Sequence, residues 1–193
     1  MLTAMTNRIP DGGTASGRAR LDRLLTRVAA GERDALAELY CCAHAAVYAL
    51  AVSFLSDPDE AQDIVQDTFV RIWDSASGYR SQGSPMAWIL TIARNLSRMK
   101  LRERSRLADI GEEQWQAIPA DAPAVTPEDR QVLQEALASL GSEERRIVLL
   151  HAVTGLRHRE IAQLLEIPLS TALSKYYRAQ KKLRVLLEGD ATP

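Results

Sequence analysis

The stretch ALAELYCCAHAAVYALAVSFL, Ala35 to Leu55, constrains the fold more than any other part of the chain. It is apolar almost all round at helical spacing, and such a helix is stable in water only when other elements cover its sides. It is expected to be the central core helix. Helical periodicity runs from near Leu21 to about Arg106 and again from Arg130 to Leu187. No segment alternates apolar and polar residues between turn signals, so strands are not expected. Between the two blocks, IPADAPAVTP (Ile118 to Pro127) holds three prolines and follows acidic residues, which marks a linker. The expected fold is all-α, with two small helical modules on a flexible tether and a helix-turn-helix in the second. The expected boundaries are a disordered leader over 1–20, modules over 21–106 and 130–187, an acidic, proline-containing linker over 107–129 and a tail over 188–193.

Composition narrows the function classes. Hydrophobic residues make up 46% of the 193 and charged residues 25%, too apolar for a disordered chain. No apolar run approaches the roughly 18 residues of a membrane span. The first 20 residues have no apolar core of signal-peptide type, so a cytoplasmic protein without membrane insertion is expected. Cys41 and Cys42, the only cysteines, are adjacent, and neighbours on a helix point about 100° apart. With His44 near but no second ligand cluster, they read as buried small residues rather than a metal site. His44, His151 and His158 form no acid–base or ligand spacing with carboxylates, so neither an enzyme nor a cofactor is expected.

The net charge of −1 hides alternating blocks. Glu32 to Ser77 carries nine acidic and two basic residues, net −7, and Arg80 to Arg106 carries seven basic and one acidic, net +6. Leu107 to Asp129 holds six acidic residues and no basic ones, while Arg157 to Arg184 has seven basic and two acidic, net +5. Such blocks suggest separate surfaces for separate partners.

Three helices carry those surfaces. In DPDEAQDIVQDTFVRIWDSAS, Asp57 can cap, Pro58 can take the first helical position and Glu60 can complete a capping box. Ile64, Val65, Thr68, Phe69, Ile72 and Trp73 form its apolar stripe, and Glu60, Asp63, Asp67 and Asp74, with Gln62 and Gln66, fall largely opposite. The helix SPMAWILTIARNLSRMKLRERSR has a core stripe of Trp88, Ile89, Ile92, Ala93, Leu96 and Met99. Arg94, Arg98 and Arg102 repeat at i+4 steps beside Asn95, where they repel one another unless a polyanion compensates. The loop before it, Ser77 to Ser84, offers Tyr79, Arg80 and Gln82, which suit stacking and edge recognition of an unpaired base.

In the second block, Ser142 is expected to cap one helix and Gly155 to end it. RHREIAQLLEIP and LSTALSKYYRAQKKLRVLL then read as two helices joined by a turn around Glu166 to Pro168. Ile161, Ala162 and Leu165 face inward from the first; Ala172, Tyr176, Ala179, Leu183 and Leu186 form the seam of the second. The opposite face offers Thr171, Ser174, Lys175, Arg178 and Lys182 to phosphates or base edges, the pattern of a DNA-reading helix-turn-helix.

Taken in order, these parts resemble an extracytoplasmic-function sigma factor over roughly Arg33 to Leu187. AQDIVQDTFVRIW looks like the polymerase-binding helix, AWILTIARN like the start of the −10 recognition helix and EIAQLLEIPLSTALSKYYRAQKKL like the −35 reader. The sequence departs from the family pattern with Gln62 for a usual Glu, Met99 for a common Asp, Arg157 for a Ser or Thr cap, Ser170 for a frequent Gly and Leu173 for a basic residue. The resemblance implies that Asp63, Gln66, Asp67 and Asp74 meet the clamp helices of the largest subunit of core RNA polymerase. It implies that Tyr79, Arg80, Asn95, Arg98 and Arg102 meet the single-stranded −10 element, and that Thr171, Ser174, Lys175, Arg178 and Lys182 meet the −35 duplex. It also implies an anti-sigma partner. The rival reading is a stand-alone helix-turn-helix regulator with an N-terminal sensor or dimerisation module, which leaves the basic helix and its loop without a role.

Overall fold

The computed structural model describes residues 14–81, 83–107 and 127–189, which form eight α-helices and no strand. The helices are α1 (Ala15–Ala29), α2 (Arg33–Leu55), α3 (Pro58–Ser75), α4 (Pro85–Leu107), α5 (Pro127–Ala138), α6 (Ser142–Thr154), α7 (His158–Leu165) and α8 (Leu169–Gly189), with one 3₁₀ turn over Ala76–Gly78. Of the expected leader, linker and tail, residues 1–13, 108–126 and 190–193 lie outside the described residues, as does Gln82.

α2 is the axis of the fold. By length and composition α2 is long and apolar enough to cross a membrane, which corrects the expectation that no apolar run approaches a span, but half of its most apolar window is buried inside the protein. Instead α1, α3, α4 and α6 all pack on it. Leu39, Val47 and Leu50 are fully buried, and Ala35, Ala43 and Ala46 let neighbouring helices approach closely. It ends at Ser56, which takes the left-handed conformation with φ 58°.

Local signals set the neighbouring helices, with four corrections. α1 starts at Ala15, ahead of the expected Leu21. Thr14 caps it by accepting from the Gly17 amide at 3.0 Å, and burial of Leu21, Leu24, Leu25 and Val28 overrides the glycine signal. α3 begins as expected, with Asp57 Oδ1 accepting from the Asp59 and Glu60 amides at 2.9 and 3.0 Å. Glu60, however, turns away from the capping box toward Arg104, 3.0 Å distant. In α4 the fully buried positions are Met86, Ile89, Leu90, Ala93 and Ser97, while Met99 is 55% exposed. The arc is rotated because α1, α2, α3 and α7 all touch this helix, not one flat core. α6 is capped at Gly141 rather than Ser142, and Glu144 accepts from the Gly141 amide at 3.4 Å.

The helix-turn-helix forms where expected. Gly155 ends α6 at φ 65°, and Glu166 takes φ 59° in the turn between α7 and α8. Ile161, Ala162, Ala172 and Ala179 are buried, but Leu164 rather than Leu165 is the buried leucine of α7, and Leu186 at the far end of the seam is exposed.

The two modules meet in the structure. Ile147, Leu150, Leu156, Ile161 and Leu164 of the second module share one buried cluster with Leu21, Val47, Leu50 and Leu90 of the first. The two modules are packed together. Arg146 of α6 lies 3.7 Å above the Phe54 ring and donates to the Ser53 carbonyl at 3.0 Å. An apolar face left on α2 by α1, α3 and α4 is thus covered from within the chain. Leu50→Ala, which empties volume at this shared centre, is expected to cost about 2–5 kcal/mol, read as a lowered midpoint in urea unfolding.

Candidate nucleic-acid and polymerase interfaces

Asp63, Gln66, Asp67 and Asp74 are all exposed on α3, on the side away from its buried Ile64, Val65, Phe69 and Ile72. Asp63, Asp67 and Asp74 form no ion pair among the described residues, whereas Glu60 at the helix start is held by Arg104 and Lys100. Asp63, Gln66 and Asp67 line a polar cleft of about 250 Å³ with Glu60 and Lys100. The result is an uncompensated acidic face on a rigid helix.

The loop and α4 are more occupied than their sequence suggests. The Tyr79 hydroxyl donates to Asp22 Oδ1 at 2.7 Å, and its ring meets Trp88 edge-on at 5.1 Å. Burial, and then the Asp22 carboxylate, push the Tyr79 hydroxyl well above the usual tyrosine range. Tyr79 is therefore packed against protein rather than open as a stacking platform. Arg80 is exposed and, among the described residues, donates to the local Ser77 and Tyr79 carbonyls, at 3.2 and 2.9 Å. On α4, Asn95 and Arg102 are exposed, and Asn95 accepts from Arg94 at 3.1 Å. Arg94 reaches Glu166 at 3.1 Å and the Leu164 carbonyl at 2.5 Å, and Arg98 reaches Glu166 at 2.8 Å. These arginines hold Glu166 well below the usual carboxylate range, Arg98 most strongly. The turn of the helix-turn-helix thus sits on the basic helix.

On α8, Ser174, Arg178 and Lys182 are exposed, and Thr171 and Lys175 are half-buried. Lys175 pairs with Glu143 at 2.5 Å and Lys182 with Glu144 at 2.7 Å. Hydrogen bonds from those lysines lower the pKa of both carboxyls. Ser174 donates to the Thr171 carbonyl and Arg178 to the Ser174 carbonyl, at 3.0 and 3.3 Å. The five side chains share a face beside the first turn of α6. Sequence reasoning missed Glu143 and Glu144 as partners of the α8 lysines. It likewise missed Glu166 and Asp22, whose partners lie more than 50 residues away in the chain.

Neither cysteine is fully buried: Cys41 is exposed, correcting that expectation, and burial raises the pKa of the half-buried Cys42. Among the described residues no group of three or more His, Cys, Asp or Glu is placed to hold a metal.

Two family models match the chain, sigma-70 region 2 over residues 39–107 and sigma-70 region 4 over 130–183. The ECF RNA polymerase sigma factor SigK of Mycobacterium ulcerans is 31% identical over 177 residues, covering 88% of this chain and 94% of that protein. This chain belongs to the ECF sigma factors. SigK of Mycobacterium tuberculosis strain H37Ra is 29% identical over 87% of the chain and 94% of its own length. Among solved structures, the sigma factor RpoE of Bartonella quintana, in complex with the anti-sigma factor NepR, is similar with a TM-score of 0.64. It is 27% identical, covering 78% of this chain and 95% of that one. CnrH, in complex with the cytosolic domain of CnrY, shares the fold at 24% identity and a TM-score of 0.62, over 89% and 99% of the two chains. This sigma factor acts in promoter-specific transcription initiation, and the stand-alone regulator reading is not favoured.

Two outcomes follow from the geometry of this sigma factor. Glu166→Lys places a cation against Arg94 and Arg98 and is expected to loosen the α4–α7 contact, seen as a small drop in the urea-unfolding midpoint, while the shared apolar cluster keeps the modules together. The second concerns His158, whose ring lies 4.5 Å from His151 and 4.4 Å from Tyr176. Burial, and then His151, hold it below its ordinary range. Between that lowered value and the unfolded value of about 6.5, the unfolded chain binds more protons, so stability falls as pH falls through this window. Unfolding midpoints are expected to drop on acidification from neutrality, and His158→Gln is expected to flatten the drop.

Proposed function

We propose that the exposed face of α3 docks on the clamp helices of the largest subunit of core RNA polymerase through Asp63, Gln66, Asp67 and Asp74. The observation that carries this reading is the absence of internal ion-pair partners for Asp63, Asp67 and Asp74 among the described residues, while neighbouring Glu60 is paired twice. A rigid, unpaired row of like charges suits a basic partner surface.

In the same proposal, Arg80, Asn95 and Arg102 meet the unpaired −10 strand, and the Tyr79 ring forms a wall of that site. Arg98 joins them once phosphate displaces Glu166, because one guanidinium cannot serve both in the geometry seen here. Thr171, Ser174, Lys175, Arg178 and Lys182 engage the −35 duplex, with phosphates replacing Glu143 and Glu144 at the two lysines. The closed packing of the modules is then a resting form that must loosen before both promoter elements are engaged. An anti-sigma factor is a further proposed partner, supported by the likeness to the RpoE of the NepR complex. The chain works in the cytoplasm, where core polymerase and chromosomal DNA are found.

Asp63→Lys combined with Asp67→Lys is expected to abolish retention of the chain by immobilised core polymerase while its unfolding midpoint stays put, since both sites are exposed. Retention equal to wild type would overturn the α3 assignment. Arg178→Ala is expected to weaken −35 binding by about 1–3 kcal/mol and relax one base preference if it reads a base edge. If it meets phosphate alone, titration at several salt concentrations is expected to show uniform weakening and a slope lower by about one.

A further inference from the structure

We infer that Asp22 of α1 is the positioning residue of the −10 loop, holding it through Tyr79 and Ser81. The inference rests on the reading that this loop meets the unpaired strand. Each oxygen of the Asp22 carboxylate takes one hydroxyl from the loop: Tyr79 on Oδ1 at 2.7 Å and Ser81 on Oδ2 at 2.8 Å. Hydrogen bonds to a carboxylate are about twice as strong as neutral ones, and a two-point attachment fixes direction as well as distance.

The anchor is itself rigid. Asp22 stands between Leu21 and Leu24, which are buried with Leu25 in the shared core, so its backbone cannot shift without disturbing α1. The loop has little else to hold it. Among the described residues Arg80 bonds to carbonyls of its own segment, and nothing lies within 4 Å of where a side chain on Gly78 or Gly83 would begin. Tyr79 also packs on the shared core, its ring edge-on to Trp88 at the start of α4. Asp22 has no ion-pair partner among the described residues. Its charge also works against any approaching phosphate, so its favourable contribution is positional. By fixing residues 79 to 81 it removes ordering entropy that strand capture would otherwise lose, and it aims the exposed Arg80 outward. Tyr79 then acts as a hook, with its ring edge-on to Trp88 and its hydroxyl committed to α1.

The test uses the full chain assembled with core polymerase and a pool of forked DNA carrying a random single-stranded segment. The bound fraction is sequenced to give a base-preference profile, beside core-polymerase retention and the unfolding midpoint. Asp22→Ala removes both hydrogen bonds and is expected to flatten the profile at one or two positions by about twofold to tenfold, because the loss reaches the strand only through the order of the loop, with core retention unchanged. Asp22→Asn keeps one acceptor oxygen and is expected to restore part of the profile. Tyr79→Phe with Ser81→Ala is expected to reproduce the Asp22→Ala profile, and adding Asp22→Ala to that pair to change nothing further. A lowered midpoint with a profile of unaltered shape, or additive effects of hook and anchor, overturns the inference. Arg80→Ala separates it from the reading beneath it. If Arg80→Ala leaves the profile unchanged, the loop does not meet the strand; if it changes the profile while Asp22→Ala does not, the loop reading stands and the Asp22 role falls.

Discussion

Everything in this structure follows from the need to cover α2. Its buried positions fall on several sides, from Leu39 and Ala43 to Val47, Leu50 and Ala51. α1, α3 and α4 of the first module pack against it, and α6 of the second brings Ile147 and Leu150 to the same cluster. Each square ångström of apolar surface kept from water contributes roughly 25 cal/mol. A module with an apolar strip left on its central helix is therefore driven to close on whatever fits. In the free chain, the helix-turn-helix module fits.

Polar contacts around that seam set its register more than its strength. Arg146 is largely buried, and desolvation pushes it down to about 10, offset in part by the charge of Glu143, the Phe54 face and one carbonyl. Its Nε, like that of Arg18 in the α1–α7 pair with Glu160, is buried without a hydrogen-bond partner. Incompletely satisfied buried charges contribute little net stability. They do fix which turn of α6 and α7 faces which turn of α1, α2 and α4. An apolar contact alone could slide; these contacts specify one arrangement, in which Glu166 reaches both Arg94 and Arg98.

This division explains what was legible in the sequence. Helix type and the inward face of α3 follow from local periodicity, and Asp57, Pro58 and Gly155 act through neighbours within four residues. The same locality made the candidate DNA residues of α8 readable as one face. What stayed hidden depends on distant partners. Nothing near Tyr79 announces Asp22, 57 residues earlier in the chain. Nothing near Arg98 announces Glu166, 68 residues later. Met99 satisfies the helical spacing but falls outside the rotated buried arc of α4, and Leu186 lies toward the end of α8, past its buried positions, because periodicity gives neither the exact arc nor the length over which it is covered. Cys41 was read as buried from residue type alone, although α2 turns that position to solvent.

Three of the hidden partners share one character: they are carboxylates set against cations that the sequence offers to DNA. Glu166 holds Arg98, Glu143 holds Lys175 and Glu144 holds Lys182. An exposed ion pair of this kind is generally worth only about 0–1 kcal/mol and weakens with salt, so phosphate can replace it. Yet each cation already partnered inside the protein gains less from a phosphate than a free one would. Indiscriminate attraction to polyanions is thereby reduced at both proposed DNA faces. On this account, affinity for promoter DNA must come from geometry, which lets several exchanges occur together once the modules are spaced to match the two elements. In the proposed docking, polymerase meets Asp63, Asp67 and Asp74 of α3, which have no ion-pair partner among the described residues. The distribution of carboxylates thus favours an order of events in which the chain finds polymerase first and DNA only afterwards.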